Sequence, residues 1–249
     1  MNKRPSGATL YVLKVFDNAQ DCKLQLEKTT TIPAHIALPV TEVSPTSFSM
    51  PLANPKVPPS AFFDLCATFS ALWSISAAGS IVATRSEYHN YVMTRELQTF
   101  GDKRSRALGM PLFCEARQAA HKLFEDYALS ESSPGMNESV HGDATLSNCV
   151  TTPHGVRLID FSPRAAPPEA EVDIAKLLFS SRGFDTDAET GAALRNVLEW
   201  FPRVQSADPR LVNYYFATHI VRVLSKEPPT TLERADFYKE IIDHVRNSL

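Results

Sequence analysis

The hydrophobic rhythm of the chain changes near residue 60, and the two rhythms predict two kinds of structure. Before that point, Thr9 to Phe16 is a β-rich run closed by the turn signal Asp17-Asn18. Gln20 to Thr29 reads as a short helix, and two further extended runs follow around His35 to Val43 and Ser47 to Pro51. Seven prolines between Pro33 and Pro59 exclude long helices here. The proline-rich stretch Pro51 to Pro59 reads as a connector, so the expected division is a small lobe over 1–53 and a larger one over 54–249.

Beyond residue 60 the period becomes helical. Ala61 to Ala83 predicts a buried helix, interrupted by Asp64 and several Ser and Thr. In Pro111 to Leu129, Leu112, Ala116, Ala119, Leu123 and Tyr127 recur at three- and four-residue steps. That is one stripe of an amphipathic helix, with proline at its first position. Ser130 to Ser139 is a polar loop. Cys149-Val150-Thr151 and Val156 to Phe161 then predict two strands joined by a hairpin turn at Thr152-Pro153-His154-Gly155. Helices are expected at 170–180, 187–201, 209–225 and 232–247.

Composition narrows the functional classes without choosing one. The chain has 249 residues and a formal net charge of −3, with no long basic run, so nucleic acid is not an expected partner. Cys22, Cys66, Cys114 and Cys149 are scattered without a C-x-x-C pair, which argues for reduced thiols and against a zinc site. The polar start and the lack of an uninterrupted apolar span lead to the expectation of a cytoplasmic protein with no membrane partner. No Walker-type phosphate loop and no nucleophile elbow is present.

One stretch carries specific chemistry. His141-Gly142-Asp143 is followed by Asn148 and, after the predicted hairpin, by Ile159-Asp160-Phe161. Singly, an Asp at a strand end or an Asn before a strand is an ordinary turn former. Together, at offsets 0, 2, 7 and 19, His141, Asp143, Asn148 and Asp160 read as a phosphoryl-transfer apparatus. Asp143 suits a catalytic base that orients an attacking hydroxyl. Asn148 and Asp160 offer oxygen ligands to Mg²⁺ without crowding it with negative charge. His141 reads as the residue that fixes the catalytic loop, and Gly142 as a turn a β-carbon would obstruct.

Residues 141–178 resemble the aminoglycoside phosphotransferase and choline kinase group, the small-molecule branch of the protein-kinase-like fold. The shared marks are His141 to Asn148, Ile159-Asp160-Phe161, and Asp173 within Glu171 to Leu178. The resemblance implies an α+β, two-lobed architecture with a reduced β-rich N-terminal lobe and a mainly helical C-terminal lobe. It implies ATP and Mg²⁺ as cofactors, a small-molecule hydroxyl as acceptor, and a buttressing role for Asp173 on the catalytic loop. An acidic residue in the first turn of a helix is also favoured by the helix dipole alone.

In such folds a strand lysine neutralises the nucleotide phosphates and pairs with a helix glutamate. Lys14, a lone cation in Tyr11 to Phe16, fits the lysine, and Glu27 is its expected partner, with Glu42 the alternative. Thirteen residues precede Lys14 and Gly7 is the one glycine before Gly79, too little for a full glycine loop. The small lobe is therefore expected to be trimmed, with Ser6-Gly7 a rudimentary lid at most. Arg85, Arg95 and Arg164 are possible contacts for an anionic substrate, while His35, His89, His121, His219 and His244 read as surface or core residues. The leading reading is a small-molecule phosphotransferase. The alternative is a binding or regulatory module with an eroded nucleotide lobe; protein phosphorylation ranks last, because Ser162 to Glu171 is too short for an activation segment.

Overall fold

The computed structural model describes residues 11–77, 83–95, 103–127, 138–162, 166–182 and 186–247. Strand β1 (Tyr11–Val15) leads through α1 (Ala19–Thr31) to β2 (Thr41–Ser44) and β3 (Ser47–Pro51). The three strands form an antiparallel sheet in the order β1-β3-β2, with Lys14 opposite Phe48. Helix α1 starts where Asn18 caps it by accepting a hydrogen bond from the Asp21 amide at 2.8 Å. Its buried positions, Cys22, Gln25 and Thr29, recur at three- and four-residue steps and form its inner face.

A second hairpin, β4 (Cys149–Thr152) and β5 (Gly155–Leu158), matches the two strands expected around the Thr152 to Gly155 turn. It is stitched to the small lobe on one edge and to the proline-rich connector on the other. The Leu38 amide donates to the Leu158 carbonyl at 3.0 Å, and Asn54 and Thr151 exchange backbone hydrogen bonds at 3.1 and 2.9 Å. Val150 and, at its margin, Ile159 join the small-lobe core of Cys22, Leu38, Phe48 and Met50. The hairpin thus belongs to both lobes, which places its ends at the junction between them.

The remaining elements are helices: α2 (Phe62–Trp73), α3 (Arg85–Met93), α4 (Lys103–Asp126), α5 (Ala170–Ser180), α6 (Ala188–Trp200), α7 (Pro202–Gln205), α8 (Pro209–Lys226) and α9 (Leu232–Asn247). One apolar core joins α3, α4, α5, α8 and α9, including Tyr214, Tyr215 and Phe216. A second packs α2, α5 and α6 against the inner face of the β4–β5 hairpin. Helix α4 departs from expectation. It begins eight residues before Pro111, which lies inside it. Proline there cannot donate to the preceding turn, yet Leu112, Phe113, Ala116, Ala120 and Leu123 bury against α8 and α9 and hold the helix through that gap. Among the described residues no helix is long and apolar enough to cross a membrane. The Ser6-Gly7 pair and Arg164 lie outside the described residues.

Candidate active site

The loop from His141 to Asn148 is held from below by one carboxylate. Asp173, fully buried in the first turn of α5, accepts the His141 amide at 2.7 Å, the Gly142 amide at 2.9 Å and the Trp73 indole N–H at 3.1 Å. Three donors on one buried carboxylate fix the loop relative to both α2 and α5, the buttressing geometry expected of Asp173. Gly142 has φ +76, and a β-carbon there would meet the Ser162 Cβ at 2.9 Å. The turn therefore requires glycine.

His141 is fully buried and stacks on Phe161, ring centroids 4.5 Å apart. The Asp143 amide donates to its Nδ1 at 3.1 Å, so the proton resides on Nε2, which donates to the Ile159 carbonyl at 2.7 Å. Burial lowers its pKa and favours the neutral ring. The imidazole ties the Asp143 loop to the residue before Asp160. Its one N–H is held by the Ile159 carbonyl and the ring is shut away from solvent, so its place is that of a positioning residue.

Asp143 stands with its side chain 45% exposed. Lys176, one turn after Asp173 on α5 and itself only 1% exposed, reaches Asp143 Oδ1 at 3.0 Å and also donates to the Gly142 carbonyl. Burial alone would raise the Asp143 pKa. The adjacent Lys176 ammonium, their hydrogen bond and the more distant Arg222 hold it well below the usual carboxylate range. Burial pushes the Lys176 ammonium down to about 8, with Arg222 adding to the shift and Asp143 opposing it. Asn148 donates from Nδ2 to the Asp143 carbonyl at 2.8 Å and to Oδ2 at 3.2 Å. Both partners only accept, so the amide nitrogen must face them and Oδ1 is left for another ligand.

Asp160 adopts φ +60, the left-handed region that Asp and Asn tolerate best among residues with a β-carbon. Its Oδ1 meets Lys14 Nζ at 2.6 Å and accepts from Gln25 Nε2 at 3.4 Å. Glu27 is not brought to Lys14. It lies on the exposed face of α1, 3.8 Å from Lys23. Glu42 is exposed on β2 as well. The inner face of α1 offers Gln25 to Asp160 and Lys28 to the Ser162 carbonyl at 3.3 Å. The strand lysine is thus paired with Asp160, and an amide stands where a helix carboxylate was expected.

Two cavities with no lining residue in common flank these groups. One, about 460 Å³, is walled by Val12, Leu13, Leu38, Met50, Val150 and Ile159 and includes Lys14 and Asp160. The other, about 260 Å³, includes Asp143 and Asn148 together with His219 and Arg222 of α8. Sequence reasoning missed Lys176 and Gln25 and read His219 as an ordinary histidine. Arg85 pairs with buried Glu169 at 2.7 Å, and Arg95 bonds Ser225 and Tyr91, so both have structural partners.

No family model matches the sequence, and no curated protein matches it. Solved structures do match, over almost the whole chain. A thermostable mutant of aminoglycoside phosphotransferase APH(4)-Ia, in ternary complex with AMP-PNP and hygromycin B, superposes with TM-score 0.64 at 15% identity, covering 97% of this chain and 88% of the other. Choline kinase LicA from Streptococcus pneumoniae gives TM-score 0.59 at 14% identity, with 98% and 88% covered. The chain has the protein-kinase-like fold. An ethanolamine kinase from Plasmodium vivax shares that fold with TM-score 0.60 at 12% identity, over 97% of this chain and 77% of the other. In this fold β1–β3 with α1 form the small lobe, and Asn148 and Asp160 flank the same end of the β4–β5 hairpin, one just before β4 and the other two residues after β5.

Proposed function

We propose that the chain is an ATP- and Mg²⁺-dependent phosphotransferase that moves the γ-phosphoryl group to a hydroxyl of a small molecule. The observation that carries this reading is the position of Asp143 and Asn148 at one cavity and of Lys14 and Asp160 at the other. The neighbours that share the fold include structures named as kinases and phosphotransferases, one of them bound to AMP-PNP.

In this reading the apolar cavity takes the nucleotide base, with Lys14 turned toward the phosphates. Asp143, ionised because Lys176 holds it so, accepts a hydrogen bond from the acceptor hydroxyl and aims its oxygen at the phosphorus. Its low basicity suits a loose transition state, in which the hydroxyl proton leaves late and positioning dominates. Asn148 Oδ1 and the Asp160 carboxylate would hold Mg²⁺, a hard cation completed by phosphate oxygens, which would neutralise charge on the transferring group.

The second reading is a binding or regulatory module with an eroded nucleotide lobe, in which Lys14 and Asp160 stay paired. One assay separates the two. ADP release over a metabolite panel should fall about 10²–10⁴-fold in Asp143→Asn, the range for loss of an acid–base group, with the melting temperature retained. Undiminished turnover in that variant would remove Asp143 from the proposed role, and ADP release from no acceptor at all would favour the binding module.

A further inference from the structure

The cavity beside Asp143 holds charge that phosphoryl transfer does not require. Arg222 lines it from α8, and its buried Nε has no hydrogen-bond partner. Among the described residues it hydrogen-bonds from Nη1 to the Tyr88 hydroxyl at 3.5 Å and makes no ion pair. Of the two carboxylates that line the cavity, Asp143 is matched by Lys176 at 3.0 Å and Glu227 is exposed to solvent. His219, one turn earlier on α8 and 7% exposed, also lines the cavity with its Nδ1 unpartnered. Its ring sits edge-on to Phe179 at 4.7 Å, and burial keeps it neutral. Lys226 and Glu227 stand at the exposed mouth.

Arg222 is part-buried and feels the charge of Asp143 without a direct ion pair to it, and its planar fork of donors matches a carboxylate or phosphate better than any neutral group. The volume, about 260 Å³, lies below the ~300–1,000 Å³ of drug-sized ligand sites. We infer that the acceptor is a small hydroxy compound bearing a carboxylate or phosphate, paired with Arg222, while His219 hydrogen-bonds another of its polar groups. This deepens the phosphotransferase reading and rests on it for the word acceptor; the anion site itself does not.

The test pairs calorimetric binding with ADP release. Gluconate is compared with sorbitol and glucosamine, and glycerol 3-phosphate with glycerol and ethanolamine, with AMP-PNP present in the binding arm to keep phosphate out of the nucleotide cleft. At least one anion should bind ten-fold or more tighter than its neutral and amino counterparts. The gluconate and glycerol 3-phosphate arms tell the carboxylate from the phosphate. Arg222→Gln should abolish that preference and Arg222→Lys should retain part of it. Should Arg222→Gln fail to fold, Arg222→Lys and the exposed Lys226→Ala decide, each expected to weaken the anion several-fold without touching the neutral compounds. Equal or tighter binding of sorbitol, glycerol or either amine overturns the inference, even if ADP release with one of them upholds phosphoryl transfer. Arg222-dependent anion binding without ADP release from any compound upholds the anion site and counts against the transferase reading.

Discussion

At the residue scale, the candidate site divides by how far along the chain each partner lies. Asp143, Asn148 and Asp160 could be nominated from the sequence because they lie within twenty residues on one loop and the hairpin that follows it. Lys176 was not, because α5 reaches the loop only through tertiary packing. A signal for it did exist: in Ile174-Ala175-Lys176-Leu177-Leu178 a lone cation interrupts an apolar helix one turn after Asp173, and lysine is almost never buried unpaired. Glu27 was misplaced for want of helical phase. It is two residues from Gln25, on the far side of α1 from the inner stripe of Cys22, Gln25 and Thr29. The Lys176 geometry makes a prediction in pH. Its folded pKa, about 8, lies below the unfolded value near 10.5, so the folded protein releases this proton first as pH rises. Over that window the unfolded chain binds more protons, and this group makes stability climb with pH. Activity should run the other way, since Asp143 loses its ammonium partner: kcat should decline above about pH 8. Lys176→Arg should carry that limb beyond pH 10, because a guanidinium stays charged. Lys176→Met should fold, since the half-exposed Asp143 can be solvated, yet lose on the order of 10²-fold in kcat from misplacement of the carboxylate. A flat kcat profile from pH 7 to 10 in the wild type would contradict the role.

At the element scale, periodicity located most of the helices of the large lobe, because amphipathic stripes facing a common core are a local property of the chain. It failed at Pro111, where the usual preference of proline for a helix start was outweighed by the burial of α4 against α8 and α9. The functional consequence of helix placement is concentrated in Asp173. That one side chain joins α5 to the His141–Asn148 loop and, through Trp73, to α2. An asparagine of the same shape has one carbonyl oxygen for three donors and turns an N–H₂ toward an N–H. Asp173→Asn should therefore cost about 1–3 kcal/mol by urea unfolding, the penalty of an unsatisfied buried donor. It should lower kcat as well, because the loop that aims Asp143 loses an anchor. Wild-type stability together with wild-type kcat would show that the three hydrogen bonds carry no weight.

At the scale of the whole molecule, the two lobes meet where Lys14 of the sheet reaches Asp160 of the hairpin at 2.6 Å. In the proposed cycle both groups have other work, Lys14 on phosphate oxygens and Asp160 on the metal, so nucleotide must exchange this ion pair for its own contacts. Each partner is roughly a third exposed, and a pair in that setting is weak, worth about 0–1 kcal/mol. MgATP at a hundred times its Kd adds about 2.7 kcal/mol to the folded state, far more than the pair returns. For a chain of this size that corresponds to a rise in Tm of roughly 5–10 °C, at about 2–4 °C per kcal/mol. Asp160→Asn should fold with its backbone unchanged, since asparagine accepts φ +60 as aspartate does, and should lose the Mg²⁺-dependent part of the rise. Lys14→Ala frees Asp160 and loses the phosphate contact, so its shift should shrink with or without the metal. A wild-type Tm that stays fixed under ATP, GTP and ADP with Mg²⁺ or Mn²⁺ would mean that the ion pair is the working state of this cleft, and the nucleotide-independent module would then be the better account.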